Sequence, residues 1–332
     1  MRDVAALAGV GIKTVSRVVN GEPGVSPAMA TRVTEAARAL NFQPDARAGN
    51  LRRAGRRTHS LGLVLASVDN PFSAAIHRAV EDVAADRHVA VLSASTDDRP
   101  DRERVLVETF TSRRVDGLII TATANDHTYL QPELNSGTPI VMVDRPAVGI
   151  DVDSVVVDNA AGSERATEHL LRTGHRRIAY LGDLSVITTA RQRHAGYLAA
   201  MHAAAAPVDP RLVVDDLHTI KAGAAAAYRI LTEPDPPTAL FCSQNLVTIG
   251  AIHALRALGL HRDVALVGFD DFSLADLLEP AVTVVAQDPV AIGRTAAELL
   301  FARLDDSDRP ARQIVLSTQL ITRGSGEIPP PQ

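Results

Sequence analysis

The chain has 332 residues, 46% of them hydrophobic and 22% charged, enough for about two domains with sizeable cores and too apolar for wholesale disorder. One cysteine excludes a disulfide framework and any multi-cysteine zinc site, and no apolar run reaches the ~18 residues of a membrane span. The net charge of −5 is unevenly spread: residues 1–57 hold ten Lys/Arg against four acids, a formal +6, which leaves −11 on the rest. A small cationic head on an acidic body is the footprint of nucleic-acid binding, although a merely solvated basic face fits the charge equally well.

The head reads as short helices. Arg2–Ala8 carries Val4, Leu7 and Ala8 at helical spacing, Gly9-Val10-Gly11 interrupts it, and Ile12–Asn20 resumes the period with Ile12, Val15, Val18 and Val19. Gly21–Gly24 is a loop. Ser26-Pro27 reads as an N-cap followed by proline at the first helical position, opening a helix to about Leu40. Pro44 closes the unit, and Asp45–Arg57 is polar, Arg-rich and linker-like.

From Ser60 onward, short apolar runs alternate with helical segments. They are Leu61–Ala66, Val89–Leu92, Leu118–Thr121, Ile140–Val143, Val155–Val157, Ile178–Leu181, Leu212–Val214, Ala239–Cys242, Ala265–Phe269 and Val282–Ala286. Continuous Val/Ile/Leu runs between helices indicate parallel sheets covered on both faces. These strands are too many for one compact sheet, so an α/β body of two lobes is expected. Glu327–Gln332, with three prolines, reads as disordered.

Enzyme motifs are missing. Gly9–Thr14 half-resembles a dinucleotide loop, but it follows a helix and lacks the third glycine. The two lysines, Lys13 and Lys221, do not follow a glycine, which excludes a Walker A loop. Neither a G-x-S-x-G elbow nor an H-E-x-x-H motif occurs. The expectation is a non-enzyme without cofactor or metal. Met1–Lys13 also lacks the basic-then-apolar pattern of a secretory signal, so a cytoplasmic location is expected.

The segment DVAALAGVGIKTVSRVVN (Asp3–Asn20) resembles the helix-turn-helix of the LacI family of bacterial regulators, and VSPAMATRVTEAARALNFQPD (Val25–Asp45) its third helix and hinge entry. SLGLVLASVDNPF, RRVDGLII, PIVMVDR, GHRRIAYLG, ARQRHAGY, TALFCSQN, VALVGFDDF and VTVVAQD follow in the family's order, over about 320 residues. TVSRVVN and GFDDF are the specific parts. The resemblance implies a helix-turn-helix head (1–44), a hinge helix and linker (45–59) and a periplasmic-binding-protein-like effector and dimerisation domain (60–325). Its N-lobe is expected at about 60–157 and 288–314, its C-lobe at about 158–287 and 315–325, with a disordered tail at 326–332.

In such a head one helix enters the major groove and side chains near its start reach base edges. Those are Ile12, Lys13 and Arg17 here: Arg17 can donate twice to a guanine, and Ile12 can meet a thymine methyl. Thr14, Ser16 and Asn20 fit phosphate contacts. Val15, Val18 and Val19 are core. The hinge resemblance assigns Leu51 as a minor-groove wedge, with an ordinary linker residue as its alternative, and Arg52 and Arg53 to the phosphates. Two departures stand out: Gly11 replaces the family's usual capping Ser, and Gly49 a helix-favouring residue.

Ligands of parallel α/β sheets bind beyond the C-terminal strand ends. Asp69, Asn70 and Phe72 follow the first strand there, and Asp144 and Arg145 a later one. Arg193 begins a helix after Ile178–Leu181 and its loop. Gln244 and Asn245 follow Ala239–Cys242, Asp270 follows Ala265–Phe269, and Gln287 follows Val282–Ala286. Carboxylates and amides suit hydroxyls, guanidiniums suit ring or acid oxygens, and Phe72 offers a flat wall. Alternatives remain open at this point: Phe72 as core, Asp270 as an N-cap with Asp271 as the ligand, Arg145 paired with a neighbouring acid. Cys242 and His175 read as structural. Gln244-Asn245 stands where many relatives have Asn-Asp.

The reading is a homodimeric repressor of a carbohydrate-utilisation operon. It binds pseudo-palindromic double-stranded operator DNA and answers to a small sugar or sugar acid. The alternative is a periplasmic-type solute receptor without DNA function.

Overall fold

The computed structural model describes residues 1–19, 22–42 and 57–331, in two compact units, Met1–Thr58 and His59–Gln332. The first contains helices α1 (Arg2–Ala8), α2 (Ile12–Val19) and α3 (Pro27–Ala39). Val4, Ala5, Ala8, Val15, Val33 and Ala36 form its core, one stripe from each helix. Gly9 ends α1 in the left-handed conformation, at φ 63°. The Arg32 guanidinium on α3 donates to the Ala8 carbonyl, so a side chain satisfies an orphan group at the end of α1. Ser26 caps α3, its Oγ accepting from the Met29 amide at 3.4 Å.

The second unit has two sheets. In chain order the elements are β1 (Ser60–Leu65), α4 (Pro71–Ala85), β2 (Ala90–Ser95), α5 (Pro100–Ser112), β3 (Gly117–Thr121), α6 (Gln131–Asn135), β4 (Ile140–Val143) and β5 (Asp153–Val157). There follow α7 (Asn159–Arg172), β6 (Ile178–Leu181), α8 (Thr188–Ala203), β7 (Val213–Val214), α9 (Ile220–Leu231), β8 (Ala239–Cys242), α10 (Asn245–Ala257), β9 (Ala265–Phe269) and β10 (Thr283–Ala286). The last are α11 (Pro289–Asp305), β11 (Gln313–Leu316) and β12 (Gln319–Ile321). The sheet orders are β11-β5-β4-β3-β1-β2 and β12-β10-β9-β8-β6-β7. Every pairing is parallel except β10 with β12.

Each sheet has a packed core on both faces, which is why its central strands are apolar at every position rather than at alternate ones. The chain crosses between the sheets after β5, after β10 and after β11. Asp158 ties two of these crossings together: its Oδ1 accepts from the Thr318 amide at 2.7 Å, and its own amide donates to the Leu316 carbonyl.

Three expectations need correction. The whole of β11, through Leu316, pairs with β5 in the first sheet, register Leu316 to Val157, so the second lobe resumes after it and not at 315. The strand read as Val89–Leu92 continues to Ser95. Residues 326–331 are packed, not disordered. Glu327 accepts from Thr283 Oγ1 at 2.9 Å and lies 2.7 Å from His169, the Ile328 carbonyl accepts from His175 Nε2 at 2.8 Å, and Pro330 lies against Gly174. The prolines cost this stretch little, because they follow the residues whose amides donate, Gly326 to Thr283 Oγ1 and Glu327 to the Gly324 carbonyl.

Candidate functional site

In the head, α2 buries Val15 and turns its opposite side to solvent. Lys13 and Arg17 are exposed, one helical turn apart, and Ile12 is 48% exposed. Thr14 and Ser16 are half-buried beside them. The Gly11 carbonyl accepts from Thr14 and Val15, and a Cβ at Gly11 would meet nothing within 4 Å. The helix therefore starts without a side-chain cap at that position. Asn20, Gly49, Leu51, Arg52 and Arg53 lie outside the described residues.

In the body, a cavity of about 470 Å³ opens between the two sheets at their C-terminal strand ends. Asn70, Phe72, Asp144, Arg145, Arg193, Gln244, Asp270 and Gln287 all line it, as does Asp69. The ninth expected effector contact, Asn245, does not. It is fully buried, and its amide exchanges hydrogen bonds with that of Asn70 across the lobes, at 2.9 and 3.3 Å. Asn70 also caps α4. Phe72 does both things proposed for it, packing on the first-lobe core and lining the cavity.

Asp144 and Asp270 end β4 and β9 in the left-handed region, at φ 65° and 69°. Each amide still closes the sheet ladder, bonding Val155 and Val285 respectively, while the carboxylate turns into the cleft. Asp tolerates this conformation better than most residues, and such strain gathers at functional sites. Burial pushes both carboxyls above the ordinary range, against the pull of Arg145 on Asp144 and of Arg193 on Asp270. Asp271 instead pairs with Arg323 at 2.6 Å, and Asp270 is the aspartate of this strand end that lines the cavity.

The two guanidiniums are committed. Arg145 donates to Asp98 at 2.6 Å and to the Ala122 carbonyl, so its pairing with a neighbouring acid is real. Arg193 donates to Asn159 and the Ser243 carbonyl, stacks over Phe269 at 3.8 Å and lies 3.5 Å from Asp270. Arg145 Nε faces Asp144 Oδ2 at 3.4 Å, and among the described residues Gln287 Oε1 is a buried acceptor of the cavity wall without a hydrogen-bond partner. Buried polar groups are nearly always paired, so this acceptor points to a polar ligand.

Sequence reasoning missed Asp97, Asp98, Asp183, Thr189 and His218, all on the cavity wall. The same strand-end rule reaches Asp98, Asp183 and His218 once it is applied to the edge strands β2 and β7 and to β6.

Residues 1–45 match the model of the bacterial regulatory proteins, lacI family, and residues 167–326 that of the periplasmic binding protein-like domain. The ribose operon repressor of Escherichia coli strain K12 is 31% identical over 328 residues, covering 98% of this chain and 99% of that one. The chain belongs to the LacI family. Among solved structures, the transcriptional regulator CelR in complex with cellobiose is 33% identical, covers 97% of this chain and 98% of its own, and superposes with a TM-score of 0.72. The lac repressor dimer bound to operator and the anti-inducer ONPF shares the fold at a TM-score of 0.84, with 24% identity over 98% of both chains. The LacI-family head thus coincides with the exposed α2 face, and the periplasmic-binding-like match includes most of the second lobe of the cleft. Among the described residues no helix is long and apolar enough to cross a membrane.

Proposed function

We propose that this LacI-family protein is a cytoplasmic, homodimeric transcriptional regulator, most simply a repressor of a carbohydrate-utilisation operon, with no catalytic activity of its own. Two heads address the half-sites of a pseudo-palindromic operator. Ile12, Lys13 and Arg17 read base edges; Thr14, Ser16, Asn20 and Arg52 hold phosphates; Leu51 wedges the minor groove. The observation that carries the reading is the joining, on one chain, of a regulatory head match to a carboxylate-lined cleft. The same head match weighs against a solute receptor without DNA function.

The effector is a small sugar. Asp144, Asp270 and Gln287 Oε1 accept from hydroxyls, the Arg145 and Arg193 guanidiniums hold the carboxylates beside them in place, and Phe72 supplies the wall. Relatives named for ribose and a neighbour solved with cellobiose support the class. Between a sugar and its acid, charge favours the neutral form. Asp69, Asp97, Asp98, Asp144, Asp183 and Asp270 face only Arg145, Arg193 and His218 among the cavity's ionisable side chains, and both arginines already have carboxylates beside them. A carboxylate ligand would enter a field of its own sign.

Selection of binding sites from random duplex DNA by the full chain tests the DNA half: a pseudo-palindrome supports it, and absence of enrichment rejects it. A thermal-shift panel of D-ribose, cellobiose and the corresponding aldonic acids tests the other half. A neutral sugar is expected to stabilise the protein; a response confined to the acids would reject the charge argument.

A further inference from the structure

We infer that His218 is a lobe-closing residue: held by Asp183 in its own lobe, its imidazolium clasps Asp98 of the opposite lobe, and this clasp sets how readily the cleft closes. His218 Nδ1 lies 2.7 Å from Asp183 Oδ1, and Nε2 lies 3.3 Å from Asp98 Oδ2. A neutral imidazole has one N–H. With a carboxylate beside each nitrogen the cation is favoured, because only it presents an N–H to both. Asp98 is in turn held from its own lobe by Arg145 at 2.6 Å, with its side chain 5% exposed. The order Arg145–Asp98–His218–Asp183 is therefore an alternation of charge running from one lobe to the other.

Topology gives the clasp its leverage. Strands β5, β11, β10 and β12, which flank the three crossings, lie at one edge of the sheets, and β2 and β7 form the opposite edges. Asp98 follows β2 and His218 follows β7. A hinge at the crossings separates these two loops more than any other pair across the cleft. The neighbouring charges are otherwise occupied. Asp97 pairs with Arg102, Asp216 accepts from Ser185, Asp215 faces His194, and Asp144 lies behind Arg145. Asp183 and Asp98 are the carboxylates that face the imidazole.

The titration supports this geometry. Donation to Asp183 and then to Asp98 outweighs burial and pushes His218 from 6.5 up to about 10. At Asp98 burial pushes upward, and the bonds and charges of His218 and Arg145 bring the carboxyl down to about 2. Opening the cleft keeps Asp183 beside the imidazole but removes Asp98, so the open form holds the proton less tightly. The clasp is complete below the open form's pKa and is lost as pH rises toward the closed form's, on the alkaline side of neutrality. The Asn70–Asn245 amide pair bridges the same lobes without a titrating group, and serves as an internal reference.

The test needs no ligand, so it stands apart from the sugar reading; failure of every sugar to bind would leave the clasp result intact. Spin labels are placed in the full chain by Val105→Cys on α5 and Tyr228→Cys on α9, positions 59% and 50% exposed on the helices that follow Asp98 and His218. The native Cys242 is fully buried and out of reach of the label. Pulsed-EPR distances are measured at about pH 7 and about pH 10.5. The unsubstituted clasp should give mainly the short distance at the lower pH and a several-fold larger long-distance population at the higher. His218→Gln should show the long population at both, and Asn70→Ala should enlarge it equally at both. Identical distances at the two pH values in the parent would overturn the inference, and so would the same pH response in His218→Gln. The parent titration decides the matter even if the variant does not fold.

Discussion

At the scale of single residues, the proposed function assigns Arg17 to base readout and Asp270 to the effector. Arg17 is exposed on the α2 face and its guanidinium matches guanine's two acceptors, so Arg17→Ala should relax base preference by about 1–3 kcal/mol at one position. Arg52→Ala should weaken all sequences alike and reduce the salt slope by about one. Parallel binding isotherms on matched and mutated sites at several salt concentrations distinguish these effects. At Asp270, replacing the carboxylate by Asn keeps the shape and the φ tolerance but removes a charged acceptor. A loss of roughly 1.5–3 kcal/mol in sugar affinity is expected by calorimetry, with little change in DNA affinity in the absence of sugar. At this scale the sequence was informative where a strand is central and apolar. Asp144, Asp270 and Gln287 stand at the ends of unmistakable strands. Asp98 escaped notice because β2 is half-exposed and its reading stopped at Leu92, and His218 because β7 is only two residues long. Asn245 was placed correctly at a strand end, yet its amide serves Asn70 rather than the cavity. Nothing in a one-dimensional pattern separates those two roles.

Among the elements, helix pairs pack closely enough that glycine decides their spacing. A Cβ at Gly196 on α8 would lie 2.1 Å from the Ala160 carbonyl oxygen on α7. Alanine gains about 1 kcal/mol of helix propensity there, but the clash is with backbone and cannot rotate away. Overpacking costs about 1–3 kcal/mol or more, so Gly196→Ala should be net destabilising in urea unfolding. Gly11 gives the contrast. Its Cβ would meet nothing, and serine restores a cap to α2, so Gly11→Ser should stabilise by a few tenths of a kcal/mol. Most elements were legible as helical periods and apolar runs. β11 and β12 were not: both are short, partly exposed edge strands, and the three-residue apolar run of β11, Ile314–Leu316, was passed over. The C-terminal segment was misread because proline content signals the lack of regular structure, which is not the lack of packing.

Across the whole molecule, the account requires two binding events on one chain to influence each other. The acidic, polar cleft and the cationic head have separate cores. The proposed function therefore requires that sugar binding in the effector domain alter DNA binding by the head. Thermodynamic linkage makes that coupling reciprocal, typically by about 5–150-fold. A duplex recovered by selection and the neutral sugar giving the largest thermal shift are the reagents needed. With the full-length protein, sugar affinity is measured by calorimetry with and without saturating duplex, and duplex affinity by anisotropy with and without saturating sugar. The expected result is one common factor, well away from unity, in both pairs of measurements. Sugar affinity that is the same with and without bound duplex would contradict the coupling on which the functional reading depends.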